Sequence, residues 1–444
     1  MLNLDNKNIH FIGVGGVGVN ALAKYATDAG AAVSGSDIKL SDVCKNLMEN
    51  GAYLYEGVNP DAVNVADIVV YSSAVKEDNP ELARARELKI PVFERHKFLG
   101  EVADLYKTVV GIAGTHGKTT TTAMLTHILK YADKKFVSMI GGNSVEFGNY
   151  VNNSGGGYDI FVAEACEYKR NFLSLNPTVA VVTNVECDHP DCYKDYESVK
   201  SAFDEYLAAA PCKIYLETDE KKSWSIVKEH NGETEIFRGE ITNDICRMFC
   251  GGVLIGSISL TGGGDYNYKN ATFAIIAANA LGVSIDGAIR ALETFKGVCR
   301  RFECAGKIGG TQICFDFAHH PTEIACALER AGAYGKVLAI FQPHTYSRTK
   351  AYFADFVDVF GGDKNIASLA FLPTYGAREK FDGAYEINSL ADAINQKYGR
   401  AAKIFGTFDQ AKDFVTENAK YYDFVIFIGA GDIYDIKNML IYDL

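Results

Sequence analysis

The segment AGTHGKTTTT, Ala113 to Thr122, gathers residue types suited to a polyphosphate. Backbone amides of Gly114, Thr115, His116 and Gly117 can cradle phosphate oxygens, and Lys118 can reach the β and γ phosphates. The hydroxyl of Thr119, next to Thr120, can bind magnesium. The spacing is a shortened P-loop, G-T-x-G-K-T, since the general pattern wants glycine at 112 and the chain has Ile112. In FVAEACEYKRNFL, Glu164 is placed to hold a magnesium ion that bridges phosphate oxygens. In VVTNVECDHPDCY, Asn184, Glu186, Asp188, His189 and Asp191 crowd the end of another apolar run, and His189 can help hold a second metal. Zinc on Cys187, His189 and Cys192 would need a further ligand pair that the neighbouring chain does not supply.

A second phosphate signature opens the chain. IHFIGVGGVGVNALAKYATDAGAAVSGSD places Gly13, Gly15, Gly16 and Gly18 after an apolar run and Asp37 at the end of the next. Such a turn brings a pyrophosphate to a helix N-terminus, with the acid on the ribose side. Taken alone it suits an oxidoreductase, a reading that leaves the lysine loop and everything after it without a role. Toward the C-terminus, RRFE supplies Arg300 and Arg301, FDFAHHPTEI supplies Asp316 and His319, and FQPHTYSRTK supplies His344 and Arg348. PTYGAREK and GAGDIY add Arg378 and Asp432 at two further strand ends.

The elements that must position these groups follow one rhythm. Short β-branched runs, NIHFIGV, DIVVYSSAV, KTVVGIAG, YDIFVAEA, PTVAVVTNV, KVLAIFQP, SLAFLPTY and DFVIFIGAGD, are each followed by a helical stretch. This alternation predicts an α/β protein of parallel sheets wound on both faces, with ligands beyond the carboxyl ends of the strands. Three blocks are expected, over residues 1–106, 107–298 and 299–444. A net charge of −12 argues against a nucleic-acid or anionic-membrane surface, so small-molecule partners are expected. The start, MLNLDNKNIH, lacks the pattern of a signal peptide, and no apolar run approaches the roughly 20 residues of a membrane span, so no membrane insertion and a cytoplasmic location are expected. Eleven cysteines without a CxxC pair fit free thiols better than a disulfide framework.

Taken in order, GVGGVG, AGTHGKTTTT, VAEACEY, TNVECDHPDCY, RRFE, DFAHHPTEI, FQPHTYSRT and GAGDI resemble the Mur ligases of peptidoglycan synthesis over the whole chain. AHHPTE with FQPHTYSRT is similar to the branch that adds L-alanine. The resemblance implies a Rossmann-like domain for UDP-N-acetylmuramate, a central P-loop ATPase-like domain, and a Rossmann-like C-terminal domain that closes over both and carries the amino-acid pocket. It implies ATP-driven amide formation through an acyl phosphate, with ATP and two magnesium ions, the metal ligands being Thr119, Glu164 and His189.

Catalytic roles then fall to Lys118, Glu164, His189, Arg301, His319 and Arg348. Asn267, Asn270, Arg300 and Asp316 join the loop residues around ATP. Asp37, Ser72, Ser73, Asn79 and Arg95 join the opening glycines around the UDP-sugar, and His344 and Arg348 face L-alanine. Tyr266, Val58 and Phe315 depart from the family pattern, which has histidine at the first two places and aspartate at the third. A sibling ligase that adds a preformed tripeptide and a non-catalytic nucleotide-sugar binding protein are the alternatives; the chain is expected as monomer or homodimer.

Overall fold

All eight apolar runs become strands, and all of them sit in parallel register with a neighbour. The computed structural model describes residues 2–40, 43–189, 192–260, 263–377, 379–381 and 386–440. Asp191 and Arg378 lie outside the described residues.

The first sheet is built from β1 (Asn8–Ile12), β2 (Ala32–Asp37), β3 (Tyr53–Glu56), β4 (Ile68–Tyr71) and β5 (Val92–Glu94), in the order β3-β2-β1-β4-β5 and parallel throughout. Helices α1 (Val17–Asp28), α2 (Val43–Glu49), α3 (Pro80–Glu87) and α4 (Arg95–Ala103) connect and flank it. β1 is central and buried on both faces, which is why His-Phe-Ile there reads as a continuous run and not as an alternation.

The second sheet has ten strands. Its parallel part comprises β6 (Thr108–Ala113), β7 (Phe136–Ser144), β9 (Ile160–Glu164), β10 (Val179–Val182) and β11 (Cys212–Glu220), with β8 (Gly148–Asn152) antiparallel at one edge. α5 (Lys118–Tyr131) follows β6 and α6 (Tyr196–Ala208) follows β10. Beyond β11 the sheet continues as an antiparallel meander, β12 (Ser223–His230), β13 (Glu233–Thr242), β14 (Ile245–Cys250) and β15 (Val253–Ile258). The alternating strand and helix pattern does not anticipate this extension. Its marks are the turn pairs Asn231-Gly232, Asn243-Asp244 and Gly251-Gly252, all with positive φ as tight hairpins require. α7 (Asp265–Ala280) and α8 (Ile285–Leu292) return to cover α5.

Residues of the first and second sheets share one hydrophobic core that runs from Leu4 to Ala210. Asn149, in β8, donates to Val17 O (2.9 Å) and accepts from Lys24 Nζ (2.8 Å), tying the β7–β8 hairpin to α1. By packing, therefore, residues Met1–Val298 form one compact unit and Cys299–Leu444 a second.

The second unit holds β16 (Glu303–Ile308), β17 (Thr311–Asp316), β18 (Val337–Phe341), β19 (Ile366–Phe371), β20 (Ala402–Ile404) and β21 (Phe424–Ile428), in the order β16-β17-β21-β18-β19-β20. Only β16 runs antiparallel. Helices α9 (Pro321–Gly332), α10 (Tyr346–Ala351), α11 (Phe353–Gly362), α12 (Ile387–Tyr398), α13 (Phe408–Asn418) and α14 (Ile436–Leu440) complete it. The free-thiol expectation holds for nine cysteines and fails for one pair: Cys304 and Cys314 stand directly opposite across β16 and β17, with Cα atoms 4.1 Å apart, and form a disulfide. Their pairing follows from the strand register, which ten residues of sequence separation do not reveal. No described helix is long and apolar enough to cross a membrane.

Candidate active site

Between β6 and α5 the chain turns through Gly114 (φ +135°) and Gly117 (φ +84°), a backbone that L side chains rarely adopt. A Cβ on Gly114 would fall 2.0 Å from Thr183 Oγ1, and one on Gly117 would fall 2.3 Å from Asn270 Oδ1. The second contact brings Asn270 of α7 against the loop; Asn267 sits half-buried one turn earlier on that helix. The loop is fastened to the end of β10. His116 N donates to Asn184 Oδ1 (2.9 Å), Asn184 Nδ2 donates to His116 O (3.0 Å), and Glu186 N donates to Thr115 Oγ1 (2.9 Å). Asn184 and Glu186, read from sequence only as part of a polar crowd, thus shape the phosphate loop.

Lys118 opens α5 with its ammonium buried. It donates to the carbonyls of Gly114 and Thr115 (2.9 Å to the latter) and pairs with both oxygens of Glu167 at 3.1 and 3.0 Å. Burial alone would lower its pKa, but the charges of Glu167 and Glu164 reverse this and hold it above the ordinary lysine value. Burial likewise pushes Glu167 up, and Lys118 and His189 outweigh that, so it stays ionised. Glu167 was missed from sequence; its signal was an acid three residues after Glu164, in a segment that turns out to be buried.

Thr119 Oγ1 donates to Glu164 Oε2 at 2.8 Å, so the two proposed metal ligands meet at the end of β9. A Cβ on Gly141 would stand 2.0 Å from Glu164 Oε2, so only glycine there leaves the carboxylate room. A hydroxyl and a carboxylate converging beside buried Lys118 are the hard oxygen donors magnesium requires, and these residues fit it. His189 faces Glu167 and Asp188, with Nε2 3.6 Å from Glu167 Oε1 and 3.7 Å from Asp188 Oδ2, and its ring against Tyr168. Thr120 is buried in the first turn of α5.

The opening glycines form a second strand-turn-helix, at the carboxyl end of β1. Here Asp37 Oδ2 accepts from Gly15 N (2.8 Å), while the Arg95 side chain lies where a Cβ on Gly18 would come within 3.2 Å of it. Gly16 stands at the N-cap of α1 with no side-chain cap, which leaves its first amides open. Ser72 packs on Gly13, whose added Cβ would be 2.9 Å from Ser72 Cβ, and Ser73 follows in the same turn. Asn79 caps α3, its Oδ1 accepting from Glu81 N (2.8 Å) and Leu82 N (3.2 Å). Val58 is exposed.

In the C-terminal unit the sequence-predicted groups divide into anchored and available ones. Arg300 is anchored: Nη2 donates to Gly429 O and Gly431 O, both at 2.9 Å, its guanidinium lies over Phe317, and burial lowers its pKa to about 10. Asp316 is also engaged, accepting from Phe302 N and Ala318 N at 2.7 Å each, and burial raises it to about 6. Arg301 is partly exposed, with Glu323 4.0 Å away. Phe315 stacks on Phe427 at 4.9 Å inside the core, which explains why this position carries an aromatic ring here. Asp432 is held by Gln342 Nε2 (2.7 Å).

The rings of His319 and His344 lie 5.8 Å apart, with His319 Nδ1 3.3 Å from Glu323 Oε2 and His344 stacked on Tyr375. Burial lowers the His319 pKa to about 4, against the raising effect of the Glu323 carboxylate and with help from the charge of Arg348; burial and Arg348 do the same for His344. Both imidazoles are therefore neutral at pH 7, beside the charge of Arg348 near the start of α10.

Comparison with known proteins identifies the family. The Mur ligase family catalytic domain matches residues 8–107, the Mur ligase middle domain residues 112–278, and the Mur ligase glutamate ligase domain residues 300–431. The UDP-N-acetylmuramate--L-alanine ligase of Clostridium botulinum (strain Loch Maree / Type A3) is 36% identical over 453 residues, covering 98% of both chains, and that of Clostridium novyi (strain NT) is 37% identical over 458 residues with the same coverage. Among solved structures, a UDP-N-acetylmuramate-alanine ligase from Thermotoga maritima shares the fold with a TM-score of 0.80 at 24% identity, over 98% of this chain and 99% of that one. A murein peptide ligase from Psychrobacter arcticus aligns with a TM-score of 0.64 at 21% identity, over 99% and 98%. The chain belongs to the Mur ligase family, whose members are ATP-dependent ligases.

Proposed function

We propose that this chain joins L-alanine to the lactyl carboxylate of UDP-N-acetylmuramate, using ATP, in the cytoplasmic synthesis of a peptidoglycan precursor. The observation that carries the reading is the constellation of Lys118 and Thr119 after β6 with Glu164 at the end of the neighbouring β9, in a chain whose full-length relatives carry that name. Its three sheets divide the work over residues 1–106, 107–298 and 299–444. The glycine turn at 13–18 holds the diphosphate of the UDP-sugar, with Arg95 as its cation. The lysine loop holds ATP, with Asn267 and Asn270 toward the base.

The lactyl carboxylate attacks the γ-phosphorus, ADP leaves, and the acyl phosphate forms. The amine of L-alanine then attacks the acyl carbon, phosphate departs, and the nitrogen gives up its proton. Bringing a carboxylate to a triphosphate sets like charges together, so positive charge must be fixed in advance. Lys118 supplies it from α5 once ATP oxygens replace the loop carbonyls as its acceptors, and Arg301, which is not anchored as Arg300 is, supplies more. Magnesium held by Thr119 and Glu164, with a second ion at His189, would add Lewis-acid charge neutralisation there. Arg348 pairs with the amino-acid carboxylate in two places. Because His319 and His344 stay neutral, they add no positive charge against the alanine ammonium, which can donate a hydrogen bond to an imidazole.

The test is phosphate release from purified protein with ATP, magnesium and UDP-N-acetylmuramate, supplying L-alanine, other single amino acids, or the tripeptide. Release that depends on L-alanine is expected. Release only with the tripeptide would move the assignment to the sibling ligase, and none with any acceptor would contradict an enzymatic role.

A further inference from the structure

Beneath the opening glycine turn lies a buried polar couple that the functional reading does not use. His10 on β1 and Glu81 on α3 are 0% and 1% exposed. His10 Nε2 stands 3.2 Å from Glu81 Oε1, and since a carboxylate only accepts, that nitrogen carries the hydrogen. Asn59 N donates to the same oxygen at 3.0 Å, and Ser36 Oγ donates to Glu81 Oε2 at 2.8 Å. His10 Nδ1 is in turn 2.8 Å from Ser34 Oγ. Burial pushes the Glu81 carboxyl up, but the bonds from His10, Asn59 and Ser36 outweigh it and keep the group ionised.

One carboxylate thus ties four segments together: β1, β2, the loop after β3, and the first turn of α3. Each reaches the strand ends. Ser36 O accepts from Gly13 N (2.8 Å) and Val14 N (3.1 Å), and Asp37, which meets Gly15, is the next residue. Asn59 follows Val58 in the loop after β3, and Glu81 is two residues past the α3 cap, Asn79. A buried polar couple of this kind adds little net stability compared with apolar packing of the same volume, so its effect here is on geometry.

We propose that Glu81, oriented by His10, is a positioning residue for the nucleotide-sugar pocket: it fixes the glycine turn and the 57–59 loop against each other. This rests on the assignment of that turn to UDP-N-acetylmuramate. Removing the acceptor loosens the pocket walls without touching the lysine loop, so the cost falls on binding of the sugar nucleotide.

Glu81→Met, of similar length but without acceptors, is expected to raise KM and Kd for UDP-N-acetylmuramate about tenfold while kcat and the KM values for ATP and L-alanine stay within twofold. Glu81→Gln keeps an acceptor for Asn59 and His10 and is expected within threefold of the native chain. Ser36→Ala cuts only the arm to the glycine turn; a three- to fivefold rise in the same Kd is expected, and it serves if Glu81→Met does not fold. An unchanged Kd in folded Glu81→Met or Ser36→Ala, with only kcat or melting temperature reduced, overturns the proposal alone. A native chain that binds no UDP-N-acetylmuramate in calorimetric titration overturns the functional reading, and this one with it.

Discussion

Two glycine turns, at Gly13–Gly18 and Gly114–Gly117, have the same backbone logic and different electrostatics. Each leads from a buried parallel strand into a helix whose N-terminus has no side-chain cap. The first is bordered by Asp37 on the amide of Gly15 and by Arg95, and rests on the Glu81–His10 couple. The second is bordered by Lys118, paired with Glu167, and by Thr119 on Glu164. Holding a diphosphate needs donors and a fixed shape, whereas making a triphosphate react needs cations placed before the charge develops. Glycine spacing marks where phosphate sits; neighbouring charges decide whether it reacts.

The largest test of that contrast is Lys118→Ala. It should lower kcat/KM for ATP by about 10³-fold or more, comparable to losing a preorganised charge in a water-poor site, and leave UDP-N-acetylmuramate affinity within twofold. Glu164→Gln should cost about 10²-fold in kcat, partly recovered at raised magnesium, which a magnesium titration of phosphate release would show. Arg348→Lys keeps the charge but loses the fork. The KM for L-alanine should rise about tenfold, with the ATP and sugar-nucleotide constants unmoved. Arg95→Ala should weaken sugar-nucleotide binding by about tenfold and spare ATP, the converse of Lys118→Ala.

The smallest expected effect is on stability. His319 and His344, at about 4 in place of 6.5, bind protons in the unfolded chain that the folded one refuses between those values. Stability should therefore fall as pH drops from about 6.5 toward 4. Asp316, raised to about 6, works in the opposite direction and offsets one of the two imidazoles. Melting temperatures from pH 7 to 5 should decline in the native chain and decline less in His344→Asn.

Much of this was legible in sequence because strand ends announce themselves. Eight apolar runs located eight of the parallel strands, and the polar clusters after three of them contain Lys118, Glu164 and Arg348, whereas His319 follows β17, which is not among the eight. What sequence withheld depends on register and tertiary contact. Glu167 and Glu81 are acids in buried segments, and only packing reveals that one meets Lys118 and the other His10. Arg300 and Arg301 are adjacent in sequence, yet Arg300 is fixed to two carbonyls while Arg301 stays partly exposed. Nor could spacing alone predict the 223–258 meander, whose strands pair in sequence and alternate with no helices, or the Cys304–Cys314 bridge.

The central claim is that the two turns hold different nucleotides. Calorimetric titration of UDP-N-acetylmuramate and of a non-hydrolysable ATP analogue into the native, Lys118→Ala and Arg95→Ala proteins tests it directly. The account predicts a double dissociation, with Lys118→Ala weakening only the ATP analogue and Arg95→Ala weakening only the sugar nucleotide. Parallel loss of both ligands in either variant would contradict it.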